Sequence, residues 1–195
     1  MTLFHGLGIV AYSGVSGAAP GMVLLTPTSI AYSGTSASVG ANGQVTFTAV
    51  TSLSLNGCFT ADFDNYVVSM RSVSGANPAI RLRMRLSGTD ATASNYTWQY
   101  LIASGTSVTA DRLATDHIRI GEAASTLRSG MQFIIYGPYL AQPTAARSVA
   151  ITGYSSAYLI DQAGTHSLST SYDGMTLYPA SDTLTGALQV YGIRS

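Results

Sequence analysis

This sequence predicts an all-β chain: an antiparallel β-sandwich or jelly-roll-like domain behind an extended N-terminal arm. Three observations lead there. Apolar residues recur at every second position in many short runs, Gly, Asn, Asp, Pro and Ser punctuate those runs at close spacing, and no segment sustains an apolar stripe of helical period over three turns. Many short strands with frequent turn signals pack as two facing layers rather than as an α/β fold. At 195 residues the chain is long enough for one such domain to bury a core without staples.

The first strong turn signal is Asn42-Gly43, set between Ala37-Ser38-Val39 and Val45-Thr46-Phe47-Thr48. Asn-Gly closes hairpins because both residues tolerate positive φ. Ser52 to Leu55 alternates polar and apolar before Asn56-Gly57, and Tyr66 to Val73 is rich in Val and Tyr before the loop composition of Ser74 to Pro78. Further strands are expected over Ile80–Leu86, Tyr96–Ile102, His117–Ile120, Met131–Tyr136, Ser148–Thr152, Ala157–Ile160, Met175–Tyr178 and Ala187–Ile193. Thr109 to Leu113 has the composition of a single helical turn.

Ahead of these elements the chain is neutral. The first 61 residues contain no Asp, Glu, Lys or Arg, and the longest strictly apolar block in them is Met22-Val23-Leu24-Leu25. That block is far too short to cross a bilayer, and an uncharged segment is poorly suited to free solvent, so its natural place is against protein. Within it Val10-Ala11-Tyr12-Ser13-Gly14-Val15-Ser16 recurs as Ile30-Ala31-Tyr32-Ser33-Gly34-Thr35-Ser36. The two copies read either as segments that dock alike on related surfaces or as a coincidence of low-complexity composition. We expect an anchoring arm over residues 1–34, with Tyr12, Leu24, Leu25 and Tyr32 as its contacts, and the β domain over residues 35–195. The stretch from Leu3 to Ala19 lacks the basic residues that open a secretory signal, so export by that route is not expected.

Charged residues are 9% of the chain, where about a quarter is usual, so hydroxyls, small residues or neighbouring subunits must cover its surface. Nine arginines balance eight aspartates and one glutamate, there is no lysine, and the formal net charge is zero. A neutral balance gives no electrostatic basis for binding nucleic acid or an anionic membrane. The single cysteine, Cys58, excludes an internal disulfide and reads as a small buried hydrophobe in a strand.

The most regular strand is Ile80-Arg81-Leu82-Arg83-Met84-Arg85-Leu86, which places four apolar residues on one face and Arg81, Arg83 and Arg85 on the other. Such a row is either a wet sheet face with aspartate partners, a subunit interface, or a grip on an acidic polymer such as teichoic acid or acidic polysaccharide. Tyr96, Trp98 and Tyr100 share one face of the next strand. Aromatics at strand spacing are usually core, with Trp98 the candidate if a sugar stacks there.

Catalytic signatures are thin. His5, His117 and His166 share no metal-ligand spacing, and there is no His-Glu-x-x-His, Cys-x-x-Cys or Gly-x-Ser-x-Gly. Asp62-Phe63-Asp64-Asn65 lacks the remaining ligands of a calcium loop and reads as a turn. Asp111, Asp116 and His117 are candidates for a general-base cluster with a Ser, a combination that abundant hydroxyls produce by chance. No catalytic residue, metal or cofactor is expected.

Asp64-Asn65-Tyr66-Val67-Val68, Arg81-Leu82-Arg83 and the run Leu86-Ser87-Gly88-Thr89-Asp90-Ala91-Thr92-Ala93-Ser94-Asn95-Tyr96 are followed by two later stretches, Ser169 to Leu177 and Thr185 to Gly192. In this order they resemble a β-rich domain found in virion proteins of tailed phages of actinobacteria, over roughly Pro27 to Ile193. The resemblance implies a non-enzymatic structural module on the exterior of a phage particle, of minor tail or tail-fibre-knob type, assembled as a homotrimer. It implies other virion proteins of tail or capsid as partners; a host cell-wall glycan recognised through Trp98, the tyrosines or the arginine row is a separate binding reading. Capsid decoration is the alternative placement, since no collagen-like shaft or heptad repeat precedes the module.

Overall fold

The computed structural model describes residues 21–125, 128–153 and 157–194. Among them are fourteen strands and no helix: β1 (Gly21–Leu25), β2 (Ser29–Val39), β3 (Val45–Asn56), β4 (Asn65–Ser74), β5 (Ala79–Leu86), β6 (Thr89–Asp90), β7 (Tyr96–Ser104), β8 (Ser107–Thr115), β9 (Ile118–Glu122), β10 (Ser129–Tyr136), β11 (Thr144–Gly153), β12 (Ala157–His166), β13 (Gly174–Pro179) and β14 (Leu184–Arg194). Each strand expected from the sequence between Ala37 and Ile193 is present.

All pairings are antiparallel, and they join into one sheet in the order β6-β5-β13-β3-β14-β4-β10-β11-β12-β7-β8. β1 adds to β14, β2 to β3 and β9 to the free edge of β5. The sheet curls until its two ends face each other. Leu82, Met84, Leu177 and Leu55 from one end share a continuous core with Val68, Phe133, Ile135 and Ile160 from the other. We call the β5-β13-β3 end layer I and the run from β14 to β8 layer II.

The curl is set in β3. Its first half pairs with β14, from Val45↔Leu188 to Val50↔Leu184, and its second half with β13, from Leu53↔Leu177 to Leu55↔Met175. Between them Ala49 sits at φ 47, a left-handed conformation that bends the strand. The N–H that this bend releases donates to Thr185 Oγ1 at 2.9 Å, where β14 carries a register shift of its own. β2 follows the corner with a shift between Ser33 and Gly34. A Cβ on Gly34, at φ 123, would lie 2.2 Å from Ala49 O, so glycine alone fits there.

β9 fills the mouth between the layers. The facing side of layer II is lowered there by Ala146, Ser148, Ala150 and Gly164, and a Cβ on Gly164 would stand 2.7 Å from Ile118. Ile118 and Ile120 enter the core fully buried, while Ser148 Oγ donates to the Ile120 carbonyl.

Three expectations change. Residues 21–34, read as part of a separate arm, belong to the sheet: Leu24 and Leu25 lie in β1 opposite Tyr191 and Val190, and Tyr32 lies in β2 opposite Leu53. Val23, Leu25 and Ile30 pack against the core, which is why this neutral stretch is stable as strand. Tyr32 itself is 45% exposed, whereas Tyr12 and the first repeat copy lie outside the described residues. Thr109 to Leu113, read as a helical turn, is the middle of β8. A turn at Ser104-Gly105-Thr106-Ser107 supplies β7 as partner, so ladder hydrogen bonds override weak local preference. Cys58 is buried as expected, but in the connection after β3 rather than in a strand.

Replacing Thr185 with Val, which removes the acceptor for Ala49 N–H at nearly constant volume, is expected to cost about 1–3 kcal/mol in urea unfolding. Thr185→Ser should retain most of the stability. Equal midpoints for Thr185→Val and the parent would show that the corner does not depend on this bond.

Candidate interaction surfaces

The arginine row stands on the outer face of β5. Arg81, Arg83 and Arg85 lie across from Tyr178, Thr176 and Gly174 of β13, and Arg119 of β9 joins Arg81 on the other side. Two of the three are consumed within the fold. Arg83 donates through Nε to the Asp116 carbonyl at 3.0 Å, pairs through Nη2 with the Asp116 carboxylate, and lies 4.7 Å over the Tyr178 ring. Arg85 pairs with Asp90 on β6 and donates to Asn56 Oδ1 at 2.7 Å. Asp90 in turn accepts from Thr176 Oγ1 at 2.6 Å, and Thr176 and Ser54 hydroxyls stand 2.8 Å apart. The turn that brings Asp90 back is Ser87-Gly88, both at positive φ, a two-residue hairpin whose Ser-Gly signal was present in the sequence. Arg119 pairs with Glu122 and lies 4.4 Å over Tyr100. Of the row, Arg81 alone has no carboxylate partner among the described residues. The face is therefore a cross-linked, nearly neutral surface rather than a run of free guanidinium groups.

Trp98 faces inward. It is 7% exposed, with Tyr100 stacked against it at 5.8 Å and its Nε1 donating to Thr115 Oγ1 at 3.0 Å, so its ring offers no platform for a sugar.

His117 and Asp116 meet, as adjacent residues can: Nδ1 lies 2.7 Å from Asp116 Oδ1. Burial pushes the His117 imidazole below its ordinary value of 6.5, against the upward pull of the Asp116 hydrogen bond. Burial works against the Asp116 carboxylate too, yet its bonds to His117 and Arg83 outweigh that and hold it below the usual carboxylate range. Asp111, the third member of the expected cluster, is exposed on β8 and bonds its neighbour's backbone N–H. His166, fully buried, lies flat on Tyr96 at 4.1 Å. Its Nδ1 faces the Asn95 carbonyl at 3.3 Å and must carry the proton, which leaves Nε2 to accept from Tyr172 Oη at 2.6 Å. Burial lowers its pKa as well. The Cys58 thiol is pushed up to about 12 by burial and is inert at neutral pH. Among the described residues no three His, Cys, Asp or Glu side chains are grouped to hold a metal, Asp62 and Asp64 included.

A second surface went unrecognised in the sequence. On the outer face of layer II, cross-strand register aligns Ile151 (β11), Leu159 (β12), Ala103 (β7) and Val108 (β8) in one row. The next row holds Val149, Asp161, Leu101 and Ala110. Val108, Ile151, Leu159, Leu101 and Val149 are 69, 57, 54, 48 and 44% exposed. Beside them a shallow depression over Ala163 is bordered by Gln99, Leu101 and the Arg147–Asp161 ion pair. The signal for this face was available: Leu101-Ile102 and Leu159-Ile160 are adjacent apolar pairs, which a strand with one wet face does not need.

No protein-family model matches the chain, and no curated protein matches it at significant similarity.

Both buried histidines are held neutral, with pKa values below the unfolded 6.5. The folded state thus binds fewer protons than the unfolded state below that value, and stability present above about pH 6.5 is lost as pH falls through the lower folded values. Thermal melts from pH 8 to pH 4.5 are expected to be flat above pH 7 and to fall below pH 6.5. The slope should be shallower in His166→Gln; an unchanged slope would mean that His166 is not held neutral.

Proposed function

We propose that this chain is a non-enzymatic structural protein displayed on the exterior of an actinobacteriophage particle, of minor tail or tail-fibre-knob type. The observation that carries this is the outer face of layer II, where five large apolar side chains stand exposed in adjacent rows. Contiguous exposed apolar surface of this kind marks contact with another protein. It suits a chain whose charged content is 9%, because such a surface is covered in an assembly rather than solvated alone.

Two of the segments that carry the phage resemblance, Leu86 to Tyr96 and Ser169 to Leu177, lie far apart in sequence and meet in the structure. Ser87 N–H donates to Asp173 Oδ2 at 3.0 Å, and Thr176 bonds Asp90. Tyr96 Oη accepts from Met84 N–H and donates to the Ala91 carbonyl, while Tyr172 closes on His166 and Tyr96. These two segments are hydrogen-bonded to each other, which supports reading them together.

Cryo-electron microscopy of particles carrying an antibody label on this protein tests the placement. Label on the tail supports the proposal, label on the capsid shell moves the protein to a decoration role, and absence of label from intact particles sinks the virion reading. Anchoring is tested separately. Deletion through Ser33 would strip β1 and part of β2, so the informative deletion is residues 1–20, which leaves each described strand intact. That variant is expected to fold with an unchanged circular dichroism spectrum and to be missing from purified particles. Full incorporation would remove the anchoring role from that segment. Incubation with purified host wall is expected to release no soluble product.

A further inference from the structure

We infer that the outer face of layer II is the contact between copies of this chain, so the occupant of the exposed apolar rows is a second copy. The inference rests on the assembly reading above and names its partner.

Exposure alone leaves the partner open; charge and size narrow it. The centre of the face holds one acid and one base, Asp161 and Arg147, which face each other across β11 and β12 with Nη2–Oδ2 at 2.8 Å and Nε–Oδ1 at 3.2 Å. The rows around them are apolar or small at Val149, Ile151, Leu159, Leu101, Val108, Ala103, Ala110 and Ala163; Gln99 and Arg112 continue the Arg147–Ala163 row onto β8, and Arg71 ends the Ile151 row on β4. The centre of this surface is its own complement. Its apolar rows match apolar rows, and each copy offers the other both members of an ion pair that can be exchanged without leaving either charge bare.

The dimensions agree. Six strands from β4 to β8 at about 4.8 Å spacing, and eight residues along each at about 3.3 Å, give a face of roughly 24 by 26 Å. That is on the order of 600 Å² in projection and more once side-chain relief is counted, close to the ~800 Å² per partner of a stable interface. The hairpin tip at Ser104–Ser107 and strand β8, whose outer edge has no strand partner among the described residues, border the same patch.

The test is sedimentation velocity of the full chain from about 1 to 100 µM, compared with Ile151→Arg and Leu159→Arg. Both side chains are more than half exposed, so neither substitution opens the core. Leu168→Arg, exposed on the connection after β12, is the control. The expected result is a dimer for the parent and the control, since a face that meets itself closes by two-fold symmetry, and at least tenfold weaker association for either variant at unchanged melting temperature. Should arginine disturb the sheet, the Ile151→Thr, Leu159→Thr double variant keeps strand-compatible side chains and is expected to weaken association in the same direction. A parent that stays monomeric throughout, or variants that associate like the parent, overturns the inference. Labelled particles with unaffected association would sink the interface while leaving the virion placement standing.

Discussion

A single bent strand makes the rest of this structure possible. β3 is shared by both layers, and it can be shared only because Ala49 turns it through a left-handed residue between the β14-paired half and the β13-paired half. The two ends of β3 come close enough that three residues bridge them. A Cβ on Gly43 would touch Thr26, and one on Gly57 would touch Thr28, whose N–H and hydroxyl both donate to Asn56 O. Left-handed alanine in a strand is locally unfavourable, on the order of 1 kcal/mol or more. Its persistence requires that neighbours over-determine it, and they do: Thr185 takes the released N–H, and Gly34 yields the space that any side chain would occupy.

Once the sheet is curled, its mouth must be closed by something thin. β9 does this by pairing with β5 on one side and laying its backbone on a shelf of small residues on the other. The shelf is polar where it must be. Ser148 reaches the Ile120 carbonyl, and the Gln162 amide, oriented with its oxygen toward Gly121 N–H at 2.8 Å and its nitrogen toward Arg119 O at 3.2 Å, satisfies the neighbouring groups. A buried backbone edge left bare would cost about 1–3 kcal/mol per group, so these two side chains decide whether β9 can lie there at all.

The two outer faces consequently carry different chemistry. Outside layer I, arginines are spent on the fold: the bonds from Arg83 and Arg85 tie β5 to β3, β6, β13, the Ser87-Gly88 turn and the residues before β9. These pairs are partly shielded and supported by further hydrogen bonds, which makes them worth more than exposed ion pairs of median value below about 1 kcal/mol. Outside layer II, bulky aliphatic side chains face outward around the Arg147–Asp161 ion pair. Ion pairing and exposed apolar surface are thus divided between the two ends of one curled sheet's outer face.

Strand positions were legible in the sequence because alternation is a local property: successive side chains point to opposite faces whatever the strand later pairs with. The turns at Asn42-Gly43 and Ser74 to Pro78 and the burial of Cys58 and the Tyr96-Trp98-Tyr100 face were readable for the same reason, and so was the arginine row as a face. Pairing order was not. The hydrogen bonds of β5 with β13 join residues some ninety positions apart, and nothing near Arg83 or Arg85 in the chain identifies both Asp116 and Asn56 as partners. β8 became a strand only because β7 lay beside it, β1 and β2 ceased to be an arm only because β14 and β3 offered them edges, and the apolar rows of layer II became one face only through register. Local geometry gave the elements; contacts between residues distant along the chain, which no local pattern encodes, decided what each element touches and which apolar surface is left exposed.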